Sequence, residues 1–328
     1  MRPMRAVVGL AAVTSLSLTA SGCVTVHGEL AVVPTAQRSE AARALKVFTD
    51  AYNAADRAYD PELDAGQVTG ALGAINQAGL RSRSVTDPDG NPRHVPLELT
   101  DAKFTIPKKA GWPRFFLADT DSNRDVDNGP QDNRWLLVFV RNGPDRAWEV
   151  AYLTIIATGA VPVFKTDGDG WGEAIRPDDK ALAVAPNVLS DEYTSYLKTG
   201  EPAHFAPGPH TDGWRTERQK VARVPGFTQQ YVDQPLKDGD FAPLGLATKD
   251  GGALVFFASR FFDRQTAAKG LRPRVSADVQ ALMTTTVTNT LTKEWMSNQA
   301  VTVPRTGSGA AQVDVIGRLQ GVTGAVGS

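Results

Sequence analysis

The sequence lacks the cysteines needed for a disulfide framework and the glycine-rich motifs of a nucleotide-binding site. Cys23 is the only cysteine among 328 residues, so no intrachain disulfide can form. Neither a phosphate-binding loop nor a G-x-G-x-x-G pattern occurs, which leaves nucleotide binding without support. The 35 Lys and Arg residues nearly balance the 36 Asp and Glu residues, whereas a nucleic-acid partner requires a concentrated basic surface. We therefore expect a fold stabilised by buried apolar area, with no nucleic-acid partner.

The apolar stretch near the N-terminus is too short to cross a bilayer. It extends from Val7 to Ala20, whereas a spanning helix needs about 20 apolar residues. Arg2 and Arg5 precede it, and small residues follow it up to Gly22. This order of positive, apolar and small residues is typical of an export signal that is cleaved after translocation.

The end of this stretch reads Leu18-Thr19-Ala20-Ser21-Gly22-Cys23 and resembles the lipobox of bacterial lipoproteins. One departure is Ala20, where that family more often has leucine. The resemblance implies a signal peptide over residues 1–22, a diacylglyceryl thioether on Cys23, and a protein held on the outer face of the cell membrane. Two acyl chains are needed for stable anchoring. An ordinary secretory signal is the alternative, but residues 24–27 lack a small-x-small cleavage pattern.

After the anchor, residues 23–38 are predicted to form a lipidated tether. The periodicity then predicts helices from Ser39 to just before Pro61 and over residues 67–78, followed by alternating strands between residues 97 and 156. Arg141 to Arg146 and Lys249 to Gly252 are typical of hairpin turns. Residues 161–164 and 171–175 are predicted to complete the first sheet.

The order of elements repeats in the second half of the chain. Helical patterns cover residues 188–197, 215–223 and 279–283, and extended patterns cover 227–232, 241–248, 253–262, 284–303 and 311–319. Gly321 to Ser328 is predicted to be a frayed tail. We therefore predict an α+β protein with two tandem domains, 39–180 and 181–328, each with helices packed on a curved antiparallel sheet.

This order of elements resembles tandem domains of the NTF2-like or cystatin-like kind. Together with the lipobox, the Ala- and Gly-rich body also resembles the envelope lipoproteins of actinobacteria, a group of uncharacterised function. The first resemblance implies helices packed on strongly bent antiparallel sheets, and the second implies a lipoprotein of the cell envelope.

One loop carries acidic or amide side chains at alternate positions, a pattern that can direct oxygen ligands onto calcium. These candidate ligands are Asp119, Asp121, Asn123, Asp125 and Asp127. Compared with an EF-hand loop, Arg124 replaces the turn glycine and Pro130 replaces the closing glutamate. The sequence therefore favours a solvated acidic loop, with calcium as the alternative; no other cofactor is indicated.

Three of the six tryptophans lie beside glycine or proline in predicted loops, and these are Trp112, Trp171 and Trp214. Aromatic rings in such positions can stack on wall sugars, so we treat them as candidate ligand-binding residues. The other three, Trp135, Trp148 and Trp295, lie in predicted strands, where core packing is the default.

No arrangement of residues typical of a catalytic site is found, so the sequence favours a non-enzymatic protein. The first hypothesis is a membrane-anchored extracytoplasmic lipoprotein that binds an envelope protein or a wall polymer. The second is a carrier for a small apolar ligand in a cavity between sheet and helix. The third is a hydrolase with two carboxylates, at least one of which has a raised pKa.

Overall fold

The computed structural model describes residues 31–127, 129, 131–309 and 312–328. Cys23 and the predicted signal peptide lie outside these ranges. The helices are α1 (Arg38–Ala58), α2 (Gly70–Thr86), α3 (Leu189–Thr199), α4 (Asp212–Val221) and α5 (Ala277–Ala281). The strands of the N-terminal half are β1 (Val33–Pro34), β2 (Leu99–Thr105), β3 (Pro107–Lys109), β4 (Arg114–Ser122), β5 (Asn133–Arg141), β6 (Glu149–Ala157) and β7 (Gly172–Glu173). Those of the C-terminal half are β8 (Arg223–Val224), β9 (Phe227–Leu236), β10 (Leu244–Ala247), β11 (Ala253–Ala267), β12 (Thr290–Val303) and β13 (Asp314–Gly327). The α+β fold class is confirmed.

The N-terminal half is an antiparallel sheet in the order β2-β4-β5-β6 with α1 packed on one face. Apolar residues on one side of α1, including Leu45 and Phe48, are buried against this sheet. Phe48 meets Phe139 edge to face, and the ring of Phe139 stacks on Phe116 at 4.7 Å. Aromatic rings therefore fill the space between α1 and its sheet.

The C-terminal half is an antiparallel sheet in the order β13-β12-β11-β9-β8, and β10 pairs with the end of β11. The predicted hairpin at Lys249 to Gly252 is confirmed, since Ala247 pairs with Ala253 and Gly251 adopts a φ of +88°. The turn after β5 likewise joins β5 and β6, as predicted. Helix α3 buries Leu189 and Tyr193 on the sheet.

The two halves share a hydrophobic core. The second face of the β4-β5-β6 sheet packs against β10, β11 and β12, so that Tyr152 lies beside Phe256 with ring centroids 6.2 Å apart. Asn298 on β12 donates from its amide to the carbonyl of Leu153 on β6 at 2.9 Å. The division into two domains at residue 180 stays a prediction, and any such domains would be joined by this core.

The prediction that residues 161–164 and 171–175 complete the first sheet is wrong, because neither stretch pairs with β2, β4, β5 or β6. Lys165 and Ile175 donate backbone N–H groups to Ala247 and Gly245 of β10, in the other half of the chain. Strand β7 pairs in parallel with β3, which in turn pairs with β1 in a small three-stranded sheet. This segment therefore links the two halves.

Both ends of the described chain are more ordered than the sequence suggested. The predicted tether extends to residue 38, but its last residues belong to the fold. Val33 pairs with Lys109, and Thr35 donates its hydroxyl to Phe115 O at 2.6 Å. The predicted frayed tail is wrong, because β13 continues to Gly327 and the carbonyl of Ser328 accepts from Thr290 N. Small residues conceal the end of this strand in the sequence, because Gly321, Gly324 and Gly327 interrupt the apolar pattern that would normally mark a buried face.

Candidate ligand-binding face of the six-stranded sheet

One side of the C-terminal sheet faces α3 and α4. It carries part of the hydrophobic core, buried charged side chains and an open cavity. We call this side the α3 face. Alternation along β11 places Phe257, Ser259, Phe261, Asp263 and Gln265 on it in turn. The end near Phe257 lies under α3, whereas the end near Gln265 borders a cavity.

A buried ion pair fixes α4 to the middle of this face. The guanidinium of Arg218 donates to both carboxylate oxygens of Asp233 at 2.7 and 2.9 Å, and both side chains are less than a tenth exposed. The guanidinium carbon of Arg218 also lies 4.5 Å from the ring centroid of Tyr231 and 4.9 Å from that of Phe261. Bidentate pairing and ring contacts together orient this arginine.

Arg318 on β13 adds a second, less compensated positive charge. Its guanidinium carbon lies 4.1 Å from the centroid of Trp214, whose ring also lies 5.0 Å from that of Arg218. Burial lowers the pKa of Arg318, and the positive charge of Arg218 acts in the same direction. Its Nη1 atom is buried without a hydrogen-bond partner among the described residues. The middle of the α3 face therefore carries an excess of positive charge.

A cavity of about 770 Å³ opens beyond this cluster, between the ends of β9, β11 and β12 and residues 271–279. We call it the 271–279 cavity. Its positive groups are Arg272, Arg274 and Lys293. The apolar part of its lining consists of Phe227, Leu271, Val275, Val279 and Leu291. A volume of this size and a mostly apolar lining with a few charged groups are typical of small-molecule sites.

Of the three cations, only Lys293 has a partner within the described ranges. Its Nζ lies 2.9 Å from a carboxylate oxygen of Asp263, which is almost fully buried. The side chains of Arg272 and Arg274 are exposed and have neither an ion pair nor a hydrogen bond in this part of the chain. Among the residues that the structure describes, the lining of the cavity includes no acidic side chain.

The structure places the three candidate tryptophans in separate clusters, each with an arginine over its ring. Arg114 lies 4.6 Å from the ring of Trp112, and Arg38 lies 5.2 Å from that of Trp171. Trp214 has two arginines over its ring, as described above. The arginines cover part of each ring surface, and ligand binding by these three tryptophans stays a prediction.

Of the predicted calcium ligands, the structure brings together Asp121, Asp125 and Asp127, whose carboxylate oxygens lie within 4.8 Å of one another. One oxygen of Asp125 accepts from Asn133 N at 2.7 Å, and the other is buried without a partner among the described residues. Each of the three could offer one ligand oxygen. Calcium binding here stays a prediction.

The other two predicted ligands are committed to different bonds. Asp119 accepts from Arg134 Nε at 2.6 Å, an ion pair that is almost fully buried between neighbouring strands. Asn123 donates to the carbonyl of Pro96 and accepts from the backbone of Glu98, so its side chain joins the loop to the approach of β2. Neither belongs to the carboxylate cluster.

Among the described residues, the carboxyl groups of Asp64 and Glu149 have a raised pKa, as the hydrolase hypothesis requires. Their neighbours are as follows. Burial raises the pKa of Asp64 to about 6, and the side-chain amides of Asn76 and Gln77 on α2 both donate to it. Burial and the nearby charge of Asp240 raise the pKa of Glu149, which lies at the start of β6. The hydrolase with two carboxylates stays an alternative.

Comparison with known proteins identifies the family. A profile described as "Domain of unknown function (DUF8094)" matches residues 32–327. The chain belongs to this family. It is 54% identical over 314 residues to an uncharacterised lipoprotein of Streptomyces coelicolor, covering 95% of this chain and 92% of the relative. An uncharacterised lipoprotein of Streptomyces avermitilis is 52% identical over 317 residues, covering 96% and 93%.

Both relatives carry the word lipoprotein in their names, which agrees with the lipobox resemblance. No solved structure matches the DUF8094 chain significantly, and the resemblance to NTF2-like or cystatin-like domains stays a prediction. None of the helices within the described ranges is both long enough and apolar enough to span a membrane.

Sequence reasoning missed the charged residues of the α3 face. Asp233, Asp263 and Arg318 occupy positions that alternate with apolar residues along β9, β11 and β13. A charge at a position where the alternation predicts burial is a usable signal, because a buried charge must be paired or serve a ligand. The exposed arginines of the cavity give no such signal.

Proposed function

We propose that this protein is a membrane lipoprotein, anchored through a diacylglyceryl group on Cys23, that acts as a non-enzymatic binding protein on the outer face of the cell membrane. The observation that carries the anchor is the lipobox ending at the only cysteine of the chain. Two relatives that share more than half of the aligned residues with this chain are named lipoproteins, which supports this proposal.

The single cysteine gives a sharp test of the anchor. Wild-type protein should partition into the detergent phase of a Triton X-114 extraction and incorporate labelled palmitate, whereas Cys23→Ala should do neither. Mass spectrometry should find mature wild type beginning at a lipid-modified Cys23. Equal partitioning of the two proteins, or an unmodified N-terminus at another residue, would contradict the anchor.

The outer-face orientation needs a separate measurement. Protease added to intact cells should degrade the anchored protein, and a cytoplasmic control protein should survive in the same sample. Full protection in intact cells, with degradation only after lysis, would place the protein on the inner face.

The binding role is supported by the α3 face, which has an open cavity and a surplus of positive charge on a chain of formal net charge −1. Candidate partners are an envelope protein or a wall polymer. The unlipidated full chain should sediment with insoluble peptidoglycan if the polymer is the partner, and a protein partner should instead be recovered by cross-linking in whole cells. Failure of both would contradict the binding role.

The carrier role is a second candidate, because the 271–279 cavity has the size of a small-molecule site. It lies in the C-terminal half, whereas the space between α1 and the N-terminal sheet is filled by Phe48, Phe116 and Phe139. A carrier should bind one ligand molecule per chain, which equilibrium titration measures.

A further inference from the structure

We propose that the 271–279 cavity binds a single-chain anionic amphiphile, with the acidic head group at Arg272 and Arg274 and the hydrocarbon chain against the apolar lining. This inference rests on the binding role proposed above and names the class of ligand that the cavity takes.

The charges around the cavity determine the head group. Lys293 is neutralised by Asp263, but Arg272 and Arg274 have no partner of their own within the described ranges. Asp278 lies next to Val279 on α5 and is the nearest acidic residue along this segment, yet it is not part of the lining. Two guanidinium groups at the border of one cavity favour a carboxylate or another acidic group over a neutral or cationic one.

The apolar lining determines the rest of the ligand. Side chains from β9, β12 and the 271–279 segment, among them Phe227, Leu291 and Val275, surround the cavity on several sides. An inorganic anion would leave these surfaces in contact with water, whereas a hydrocarbon chain would cover them. Because the two arginines are exposed, the head group can keep part of its hydration while the chain is buried.

The wall that carries the arginines is held by backbone contacts. Ala268 N donates to Gly226 O at 2.8 Å, and Gly226 has a φ of +82°, a conformation that favours glycine. The side chain of Leu271 lies directly against Gly226, where a Cβ atom would collide with it. Pro273, between the two arginines, is buried. These contacts fix the start of the segment that carries the arginines to the turn between β8 and β9.

A set of probes with one chain length isolates the head group. Decanoate, decanol and decyltrimethylammonium are titrated separately, below their aggregation concentrations, into the full chain carrying Cys23→Ser, so that no lipid of its own competes. Calorimetry should show one decanoate per chain, with decanol bound about tenfold more weakly, as expected for the loss of charge-assisted hydrogen bonds. The cationic probe should bind more weakly still.

Matched variants assign the effect to the cavity. Arg272→Gln with Arg274→Gln should bring the affinity for decanoate down to that for decanol, and these exposed residues can be replaced without disturbing the core. Arg264→Gln is the control, because Arg264 is an exposed arginine next to Gln265 on β11 but on the opposite face of the sheet. It should retain the tenfold preference.

Three results would overturn the inference. These are no decanoate binding by the parent chain, equal affinities for decanoate and decanol, and an unchanged preference in the double variant. Because the tested chain has no lipid anchor, these results say nothing about Cys23, and a failed anchor experiment would leave them unaffected. If the chain binds peptidoglycan or a protein partner but does not bind decanoate, this inference is wrong and the broader binding role stands.

Discussion

Gly317 on β13 lies where the two halves of the chain approach each other closely, and replacing it with alanine tests the shared core. A Cβ atom at this position would collide with the hydroxyl oxygen of Thr154 on β6 and would lie 3.0 Å from Cγ2 of Ile156. Both neighbours belong to the other half of the chain and lie in a regular strand, so neither can move away freely.

The expected cost follows from two opposing effects. Overpacking a dense core costs about 1–3 kcal/mol. Glycine-to-alanine replacement alone stabilises the folded protein by about 0.4–1 kcal/mol, because it reduces the conformational entropy of the unfolded chain. We therefore expect Gly317→Ala to lower the free energy of unfolding by about 1–2 kcal/mol. Gly324→Ala on the same strand is the control, because its Cβ would lie 3.9 Å from the nearest atom, a carboxylate oxygen of Glu294. It should be neutral or slightly stabilising.

Urea unfolding followed by tryptophan fluorescence measures these differences. Thr154→Ala removes the colliding hydroxyl, which has no hydrogen-bond partner among the described residues, so it should restore part of the stability of Gly317→Ala. The double-mutant cycle should give a coupling energy above about 0.5 kcal/mol. Equal stabilities of the Gly317→Ala and Gly324→Ala proteins, or strictly additive effects with Thr154→Ala, would refute the close approach of the two halves.

Three further predictions concern buried or clustered charges. Asp64 holds its proton more tightly in the folded state, with a pKa of about 6 against 3.8, so its stabilising contribution is complete below about pH 4 and lost by about pH 6. The unfolding free energy of wild type relative to Asp64→Asn should therefore fall by up to about 3 kcal/mol over that range, and parallel pH profiles would contradict this. Asp233→Asn leaves Arg218 buried without a countercharge and should lower the free energy of unfolding in urea by about 3–5 kcal/mol. The double variant Arg218→Met with Asp233→Leu should recover much of this free energy, and a loss below about 1 kcal/mol in Asp233→Asn would show that the pair is well hydrated. Calcium at about 1 mM tests the alternative to a solvated acidic loop: bound calcium would raise the Tm of wild type but not of Asp125→Asn, and an equal response of the two would exclude the carboxylate cluster as its site.

Local patterns predicted the helices and hairpins because their hydrogen bonds join residues close in sequence. The spacing of apolar residues gave α1 and α3 to within a few residues, and the turn at Lys249 to Gly252 gave the β10-β11 hairpin. Local patterns do not show which strand pairs with another that is distant in sequence. The pairing of Lys165 and Ile175 with β10, and the core shared by Tyr152 and Phe256, depend on contacts between distant parts of the chain.

The candidate site was less predictable for the same reason. The sequence indicated Trp214 as a ligand-binding residue but gave no sign that Arg318, about a hundred residues later, lies over its ring. The acidic loop was recognisable because its residues are contiguous, although only the structure separates Asp119 and Asn123 from the other three. The 271–279 cavity depends on where a long β11-β12 connection lies, which periodicity does not determine.

Strand β13 has a consequence for how the two halves of the chain lose their structure. It pairs with β12 of the C-terminal half, and Ile75 of α2 and Thr154 of β6 in the N-terminal half pack against it. Because one strand contributes to the interior of both halves, detaching it exposes apolar surface in each. The two halves should therefore unfold in a single cooperative transition rather than one after the other.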